Sequence, residues 1–282
     1  MGCIACAALV LEGDGITLER KESGTIPVEA DCICPDRFVG LGQTEIEALP
    51  VFYGRRQVKL GDLFTVEGAG ADNITVRGDL KAVKKIGYGM TFGRITVTGD
   101  TGPHVGAFMK GGEIVVEGST GDWAGAHMSG GRVVIEGNAG HFTGAAYSGE
   151  PKGMRGGTIV VHGSCGREVG GRMRRGLIVV LGDSGEFAGA GMLAGSVFVG
   201  GRLGGRPGAG MKRGTIVAFG EAPPMLPTFA YACTYRPVFV QAYLRAMRSS
   251  GSLEETALTA DTFQRYVGDM NTGGKGEVLI RA

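Results

Sequence analysis

The stretch GRITVTGDTGPHVGAFMKG (Gly93–Gly111) is followed without a break by GEIVVEGSTGDWAGAHMSG (Gly112–Gly130) and GRVVIEGNAGHFTGAAYSG (Gly131–Gly149), three lines of nineteen residues on one pattern. Each opens on Gly, runs through a β-branched segment, and repeats its later Gly at fixed offsets. The same phrase restarts at Gly157, Gly176, Gly195 and Gly214. A strict period near twenty marks stacked copies of one supersecondary unit, not a conventional globule.

The register reads position by position. Two residues after each opening Gly stands Ile95, Ile114, Val133, Ile159, Ile178, Val197 or Ile216, and four after it Val97, Val116, Ile135, Val161, Val180, Val199 or Ala218. By period-two alternation these face inward, one strand per repeat. Gly102, Gly121, Gly140, Gly166, Gly185 and Gly204 recur nine residues in and mark corners. Sixteen residues in, Met109, Met128, Met173, Met192 and Met211 form an interior ladder in which Tyr147 replaces Met once.

Nineteen residues are too few for a unit containing a helix, but enough for one triangular coil of short strands and Gly corners. The expected fold is mainly β: a right-handed parallel β-helix whose coils stack at about 4.8 Å. There is no G-X-Y period, so collagen is excluded, and the Val/Ile content argues against disorder. Residues 1–72 read as a β-rich N-terminal cap, 73–220 as the solenoid and 221–282 as a C-terminal cap. A capping box is expected from Thr44 to Glu47, a helix from Val238 to Met247 ending at Gly251, and a last strand at Gly276 to Ile280. The repeat breaks once: Gly131 to Gly157 spans twenty-six residues, because Ser148–Gly153 is inserted before Met154. Solenoids put such insertions on one face, often a binding face.

The residue three into each strand faces outward: Val115, Val134, Val160, Val179, Phe198 and Val217, with only Thr96 polar. An apolar stripe of this length exceeds what a monomer normally leaves in water, so a partner protein or the chain's own end segment is expected to cover it. Net charge is +1, no apolar run approaches a membrane span, and the apolar start Met1–Leu11 lacks the basic region of a signal peptide. The expectation is a cytoplasmic protein, with neither nucleic acid nor membrane as partner.

Residues that carry chemistry are sparse. Cys3 and Cys6 form C-x-x-C, and Cys32 and Cys34 form C-x-C, but neither pair has the close further Cys of a cluster run. Reduced buried thiols and no metal are expected. His104, His127, His141 and His162 fall at different offsets in their coils, so a histidine ladder is not expected. No nucleophile elbow or phosphate loop is present, and no catalytic residue is assigned.

The repeat G-x-I-V-V-x-G-x-x-G-x-x-x-G-x-x-M resembles the GXGXG family, which includes the C-terminal β-helix of large glutamate synthases and the C subunit of formylmethanofuran dehydrogenases. The flanks, Pro27–Asp36, Leu49–Val51 leading to Leu60–Phe64, Gly153–Gly157, Leu226–Phe229 and Gly273–Gly276, look like that C subunit over nearly the whole chain. The resemblance implies two branches: a tungsten or molybdenum dehydrogenase, and a bacterial formyltransferase/hydrolase complex that moves formyl between tetrahydromethanopterin and a furan cofactor and releases formate. An Arg-rich composition, 20 of 29 basic residues, favours the bacterial branch. The resemblance makes this chain a scaffold beside three partners, the hydrolase-like A subunit, the B subunit and the formyltransferase D subunit. Methanofuran or methylofuran and tetrahydromethanopterin would be the complex's cofactors. A glutamate-synthase-type scaffold, or an independent β-helix enzyme or carbohydrate-binding module, are the other classes. A lone Trp123 and scattered carboxylates argue against the last. Because the furan cofactor of the family carries an acidic glutamyl tail, a basic column at Lys110, Arg155, Arg174 and Lys212, thickened by Lys152, Arg172, Arg175 and Arg213, is its expected contact.

Overall fold

The structure is a computed structural model describing residues 15–251, 253–254 and 258–282; Cys3, Cys6 and the rest of the apolar start Met1–Leu11 lie outside these. The N-terminal part holds strands β1 (Ile16–Arg20), β2 (Val28–Glu29), β3 (Pro50–Tyr53), β4 (Arg56–Lys59), β5 (Phe64–Gly68), β6 (Asn73–Arg77) and β7 (Val83–Lys84). Three short helices lie among them, α1 (Pro35–Phe38), α2 (Gln43–Glu47) and α3 (Leu60–Leu63). The repeats supply β8 (Arg94–Val97), β9 (Glu113–Val116), β10 (Ser129–Ile135), β11 (Arg155–Val161), β12 (Arg175–Val180), β13 (Ser196–Val199) and β14 (Arg213–Ala218). After them come β15 (Ala230–Tyr235), helix α4 (Val238–Ser249), β16 (Phe263–Gly268) and β17 (Lys275–Arg281).

The chain is mainly β. Thirteen strands form one sheet in the order β15-β16-β17-β14-β13-β12-β11-β10-β9-β8-β6-β1-β5, and β4-β3-β2-β7 form a second. From β6 to β14 every neighbour is parallel and in repeat register: Ile74, Ile95, Ile114, Val133, Ile159, Ile178, Val197 and Ile216 stand opposite one another. A second parallel ladder of single bridges links Leu80, Thr101, Thr120, Ala139, Cys165 and Ser184. Each unit therefore pairs with the next along two lines.

Small residues make that stacking feasible. A Cβ on Gly130 would lie 2.2 Å from the carbonyl oxygen of Lys110 in the preceding unit, so only Gly fits. One corner is zipped by side chains that accept the backbone N–H one unit later. Asp100 takes Ser119 at 2.8 Å, Ser119 takes Asn138 at 3.0 Å, Asn138 takes Ser164 at 2.8 Å, Ser164 takes Asp183 at 3.0 Å and Asp183 takes Arg202 at 2.7 Å. Donors that the sheet leaves idle are satisfied in this way.

The interior holds the expected β-branched residues and a column of fully buried Met90, Met109, Met128, Met154, Met173, Met192 and Met211. Met154, not Tyr147, occupies the fourth place in that column. The insertion displaces Tyr147 outward, because a phenol hydroxyl has no partner in an aliphatic core.

Both ends of the stack are closed. At one end β17 joins parallel to β14, with Val278 opposite Ile216, and β16 and β15 continue antiparallel. At the other, β1 is parallel to β6 and antiparallel to β5. The expected Thr44–Glu47 box is replaced by one a residue pair earlier: Gly42 N–H donates to Glu45 Oε2 at 2.8 Å. Helix α4 appears where its apolar spacing predicts and stops before Gly251, whose φ is +68°.

A second apolar core lies outside the sheet. Val160, Val179, Phe198 and Val217 are fully buried with Val240, Leu244 and Met247 of α4, together with Phe263 and Leu279. Of the two covers the outward stripe could have, these four residues take the chain's own end segment. Val134 is also buried, whereas Val115 is half-buried.

Candidate functional site: a basic edge between two faces

Each unit places one residue directly after the interior Met, and its N–H donates to the Met carbonyl of the unit before. The bonds run from Lys110 to Met90 at 2.7 Å, Ser129 to Met109 at 2.8 Å, Arg155 to Met128 at 2.7 Å, Arg174 to Met154 at 2.8 Å, Leu193 to Met173 at 2.7 Å and Lys212 to Met192 at 2.8 Å. The backbone thus stacks Lys110, Arg155, Arg174 and Lys212 in one column, with Arg155 in the slot that the insertion would otherwise shift. Arg175 stands opposite Arg155, and Arg213 opposite Lys275. All are exposed, and among the described residues none is in an ion pair. Lys152 lies in the insertion, and Arg172 ties that loop down by donating from Nη1 to the Glu150 carbonyl at 2.8 Å. Like charges at successive units repel, so an unneutralised column is an electrostatic opening for an anion.

On one side of the edge, a cleft of about 920 Å³ runs beneath α4. On the other side lies an aromatic face. Trp123 and Phe142 stack at 4.6 Å, Phe108 and His127 at 4.8 Å, and His104 and Trp123 at 5.5 Å. Tyr147 joins the two columns: its Oη is 2.8 Å from His104 Nδ1, and its backbone N–H donates to His127 Nε2 at 2.9 Å. The accepting Nε2 requires the His127 tautomer protonated at Nδ1. Burial lowers the pKa of both imidazoles, and for His104 the nearby Lys85 and Lys84 add to it. Burial pushes the Tyr147 phenol up to about 12. A neutral, hydrogen-bonded cluster of this kind anchors the insertion. Behind the loop, Trp123, Phe142, Tyr147, Glu168 and Arg172 line a smaller pocket of about 420 Å³. Sequence offsets alone conceal this convergence, because the seven residues added to the period are Tyr147 together with Ser148–Gly153, and the added loop brings Tyr147 back onto units where His104 and His127 stand at different positions. A Tyr at a Met position beside an insertion was its one visible signal.

Three of the four described cysteines point away from reactivity, while Cys233 is exposed. Burial pushes Cys32, Cys34 and Cys165 up to about 12, and the Cys34 thiol donates to Asp36 at 3.3 Å. Asp36 in turn accepts the Thr91 N–H at 2.9 Å and its hydroxyl, which fastens α1 to the stack. Among the described residues no three His, Cys, Asp or Glu side chains converge as a metal site.

No family model matches the chain. The C subunit of tungsten-containing formylmethanofuran dehydrogenase 2 of Methanothermobacter marburgensis is 42% identical over 97 residues, 33% of this chain and 36% of the relative. The C subunit of molybdenum-containing formylmethanofuran dehydrogenase 1 of Methanothermobacter thermautotrophicus is 43% identical over 94 residues, 33% of this chain and 24% of the relative. The chain thus matches only about a third or less of the length of these curated relatives. A chain from the crystal structure of the formyltransferase/hydrolase complex (FhcABCD) of Methylorubrum extorquens, in complex with methylofuran, aligns with a TM-score of 0.86 and 36% identity. That alignment covers 94% of this chain and 99% of the other.

Proposed function

The chain belongs to the family of C subunits of formylmethanofuran dehydrogenases and formyltransferase/hydrolase complexes, and from that premise we propose that it is the non-catalytic, structural C subunit of a formyltransferase/hydrolase complex. That complex would transfer formyl between tetrahydromethanopterin and a furan cofactor and release formate in one-carbon metabolism. The observation that carries the reading is the end-to-end likeness to one chain of the bacterial complex. Three thiols held protonated by burial leave those sulfurs poor nucleophiles, which supports a scaffold role.

In this reading the units form a right-handed parallel β-helix over residues 73–220, between caps at 1–72 and 221–282. The unbroken parallel register from β6 to β14 supports it. Partners are the hydrolase-like A subunit, the B subunit and the formyltransferase D subunit, in the cytoplasm. No helix among the described residues is long and apolar enough to cross a membrane. Lys110, Lys152, Arg155, Arg172, Arg174 and Lys212 hold the polyglutamyl tail of methanofuran or methylofuran while its reactive end travels between sister subunits.

Affinity purification of the chain expressed with its genomic neighbours, with copurifying proteins identified by mass, tests the reading. Recovery with a formyltransferase and a hydrolase-like protein is expected; recovery of the chain alone overturns it. In the assembled complex, Arg155→Glu with Arg174→Glu should leave assembly intact and release bound furan cofactor, as high salt should. The curated relatives favour one second reading, the C subunit of a tungsten or molybdenum formylmethanofuran dehydrogenase. Tungsten or molybdenum copurifying with formylmethanofuran oxidation would select it.

A further inference from the structure

In the regular units the residue at the interior Met position donates its N–H to the corner Gly three residues earlier. The bonds run from Met109 to Gly106 and Met128 to Gly125 at 3.2 Å, and from Met173 to Gly170 and Met192 to Gly189 at 3.0 Å. In the unit that carries the insertion, Met154 takes the Gly144 carbonyl at 3.0 Å. Tyr147, which holds that position by count, loses this acceptor, and its N–H turns to Nε2 of His127 at 2.9 Å. His127 is only 5% exposed, its ring stacked on Phe108 at 4.8 Å with the Tyr147 ring 5.0 Å away. An imidazole here takes the place of a carbonyl. Unlike a carbonyl, it can take up a proton near neutral pH.

Few other contacts hold the insertion down. Residues 148–152 are all exposed. Glu150 N–H donates to the Tyr147 carbonyl at 3.0 Å, Arg172 Nη1 to the Glu150 carbonyl at 2.8 Å, and Gly153 N–H to the Arg172 carbonyl at 2.9 Å. The charged groups that face His127 are Glu150 on the insertion and Arg155 at the start of β11. Through the Tyr147 hydroxyl it is linked to His104, which faces Lys85, Lys84, Glu29 and Asp122. Burial holds the His127 imidazole below its ordinary value of 6.5; Glu150 works against that shift and Arg155 adds to it. The His104 contact survives protonation, since Nδ1–H can donate to the phenol oxygen. The His127 contact does not, since one N–H would then face another.

We propose that Ser148–Gly153 is a proton-sensitive strap: protonation of His127 turns the acceptor of the Tyr147 N–H into a donor, and the strap lifts off Trp123 and Phe142. Closure favours the neutral imidazole. It is therefore fully present above the open-state value of about 6.5 and is lost as pH falls through the lower value that His127 has when closed. One proton raises the opening constant by up to about tenfold per pH unit in that window. Opening uncovers the pocket of about 420 Å³ behind the strap. The device lies within this chain, requires no partner or cofactor, and is independent of the scaffold reading.

Hydrogen exchange of the full chain, followed by mass spectrometry between about pH 7.5 and pH 5 and corrected for the intrinsic exchange rate, tests it. Protection of the strap amides should fall about fivefold or more over that range, while the strands β9 and β12 stay protected. A red shift in the emission of Trp123, the chain's single tryptophan, should accompany it. His127→Gln offers a side-chain oxygen that accepts but does not titrate, so this variant should keep the strap protected throughout. His127→Phe should leave the strap open at every pH, and His104→Gln should retain the pH response. Four results overturn the proposal: strap protection that does not change with pH, a pH response that persists in His127→Gln, a response abolished by His104→Gln, or loss of protection in β9 and β12 together with the strap. None of these outcomes alters copurification with sister subunits, so failure here is distinguishable from failure of the scaffold reading.

Discussion

The early and late units carry an apolar residue at the same outward strand position and put it in different surroundings. Val160, Val179, Phe198 and Val217 are fully buried beneath α4, while Val115 in β9 is half-buried. Nothing in the local nineteen-residue pattern distinguishes Val115 from Val179. The difference comes from a helix that begins at Val238 and folds back over the later units only. The inward positions, by contrast, have the same environment throughout, because each is enclosed by its own unit and the two beside it.

The sharpest way to break this comparison is a charge. Phe198→Glu should destabilise the chain by about 4 kcal/mol or more, since an unpaired carboxylate would replace a buried ring. Val115→Glu should stay within about 1 kcal/mol in the isolated chain. Chemical denaturation of the two variants measures the contrast, and equal losses would show that α4 does not seal the later units.

Stacking should be next in size. Gly130→Ala meets the backbone oxygen of Lys110 at 2.2 Å and should cost roughly 3 kcal/mol, as overpacking against an immovable group does. Gly149 in the insertion, with open space around its Cβ position and φ of +87°, should cost only about 1 kcal/mol when changed to Ala. Thermal melts of the pair separate contact from backbone strain.

Asp269 tests the closure of the C-terminal end. Burial pushes its carboxyl up, but the N–H groups of Gly210 and Asn271, each donating at 3.0 Å, outweigh burial and hold its pKa below the ordinary value. Because the folded-state pKa is depressed, the associated stability is present above the unfolded value of about 4 and is lost as pH falls through the folded one. Asp269→Ala should cost about 2 kcal/mol at neutral pH and flatten the acid limb of the stability curve. An unchanged acid limb would remove Asp269 from that role.

The smallest effect is expected at the polar corner. Asn138→Ala removes the acceptor for Ser164 N–H, but water reaches this edge, so the loss should be about 0.5 kcal/mol. A loss of several kcal/mol would show that the corner ladder contributes as much as the core.

Much of this was legible from residues. The strand centres, the Met column from Met109 to Met211, the position of α4 and the final strand followed from spacing, because each depends on neighbours one period away or less. The basic column was legible for the same reason, since Lys110, Arg155, Arg174 and Lys212 share one register. Tyr147 was not. Its offset matched the Met column, yet the insertion moves it out to His104 and His127, and a reading by offset has no measure of how a loop of extra residues refolds.

By itself, then, the sequence determined the period, the inward and outward faces and the glycine corners, since stacking identical units leaves each position one environment set by its copies above and below. Only tertiary structure decided which outward residues are sealed, where Tyr147 meets the histidines, and that the basic edge is flanked by a cleft. Those outcomes rest on contacts between segments such as Phe198 and Tyr243, whose separation follows no period and whose meeting depends on how the end of the chain packs back against the stack.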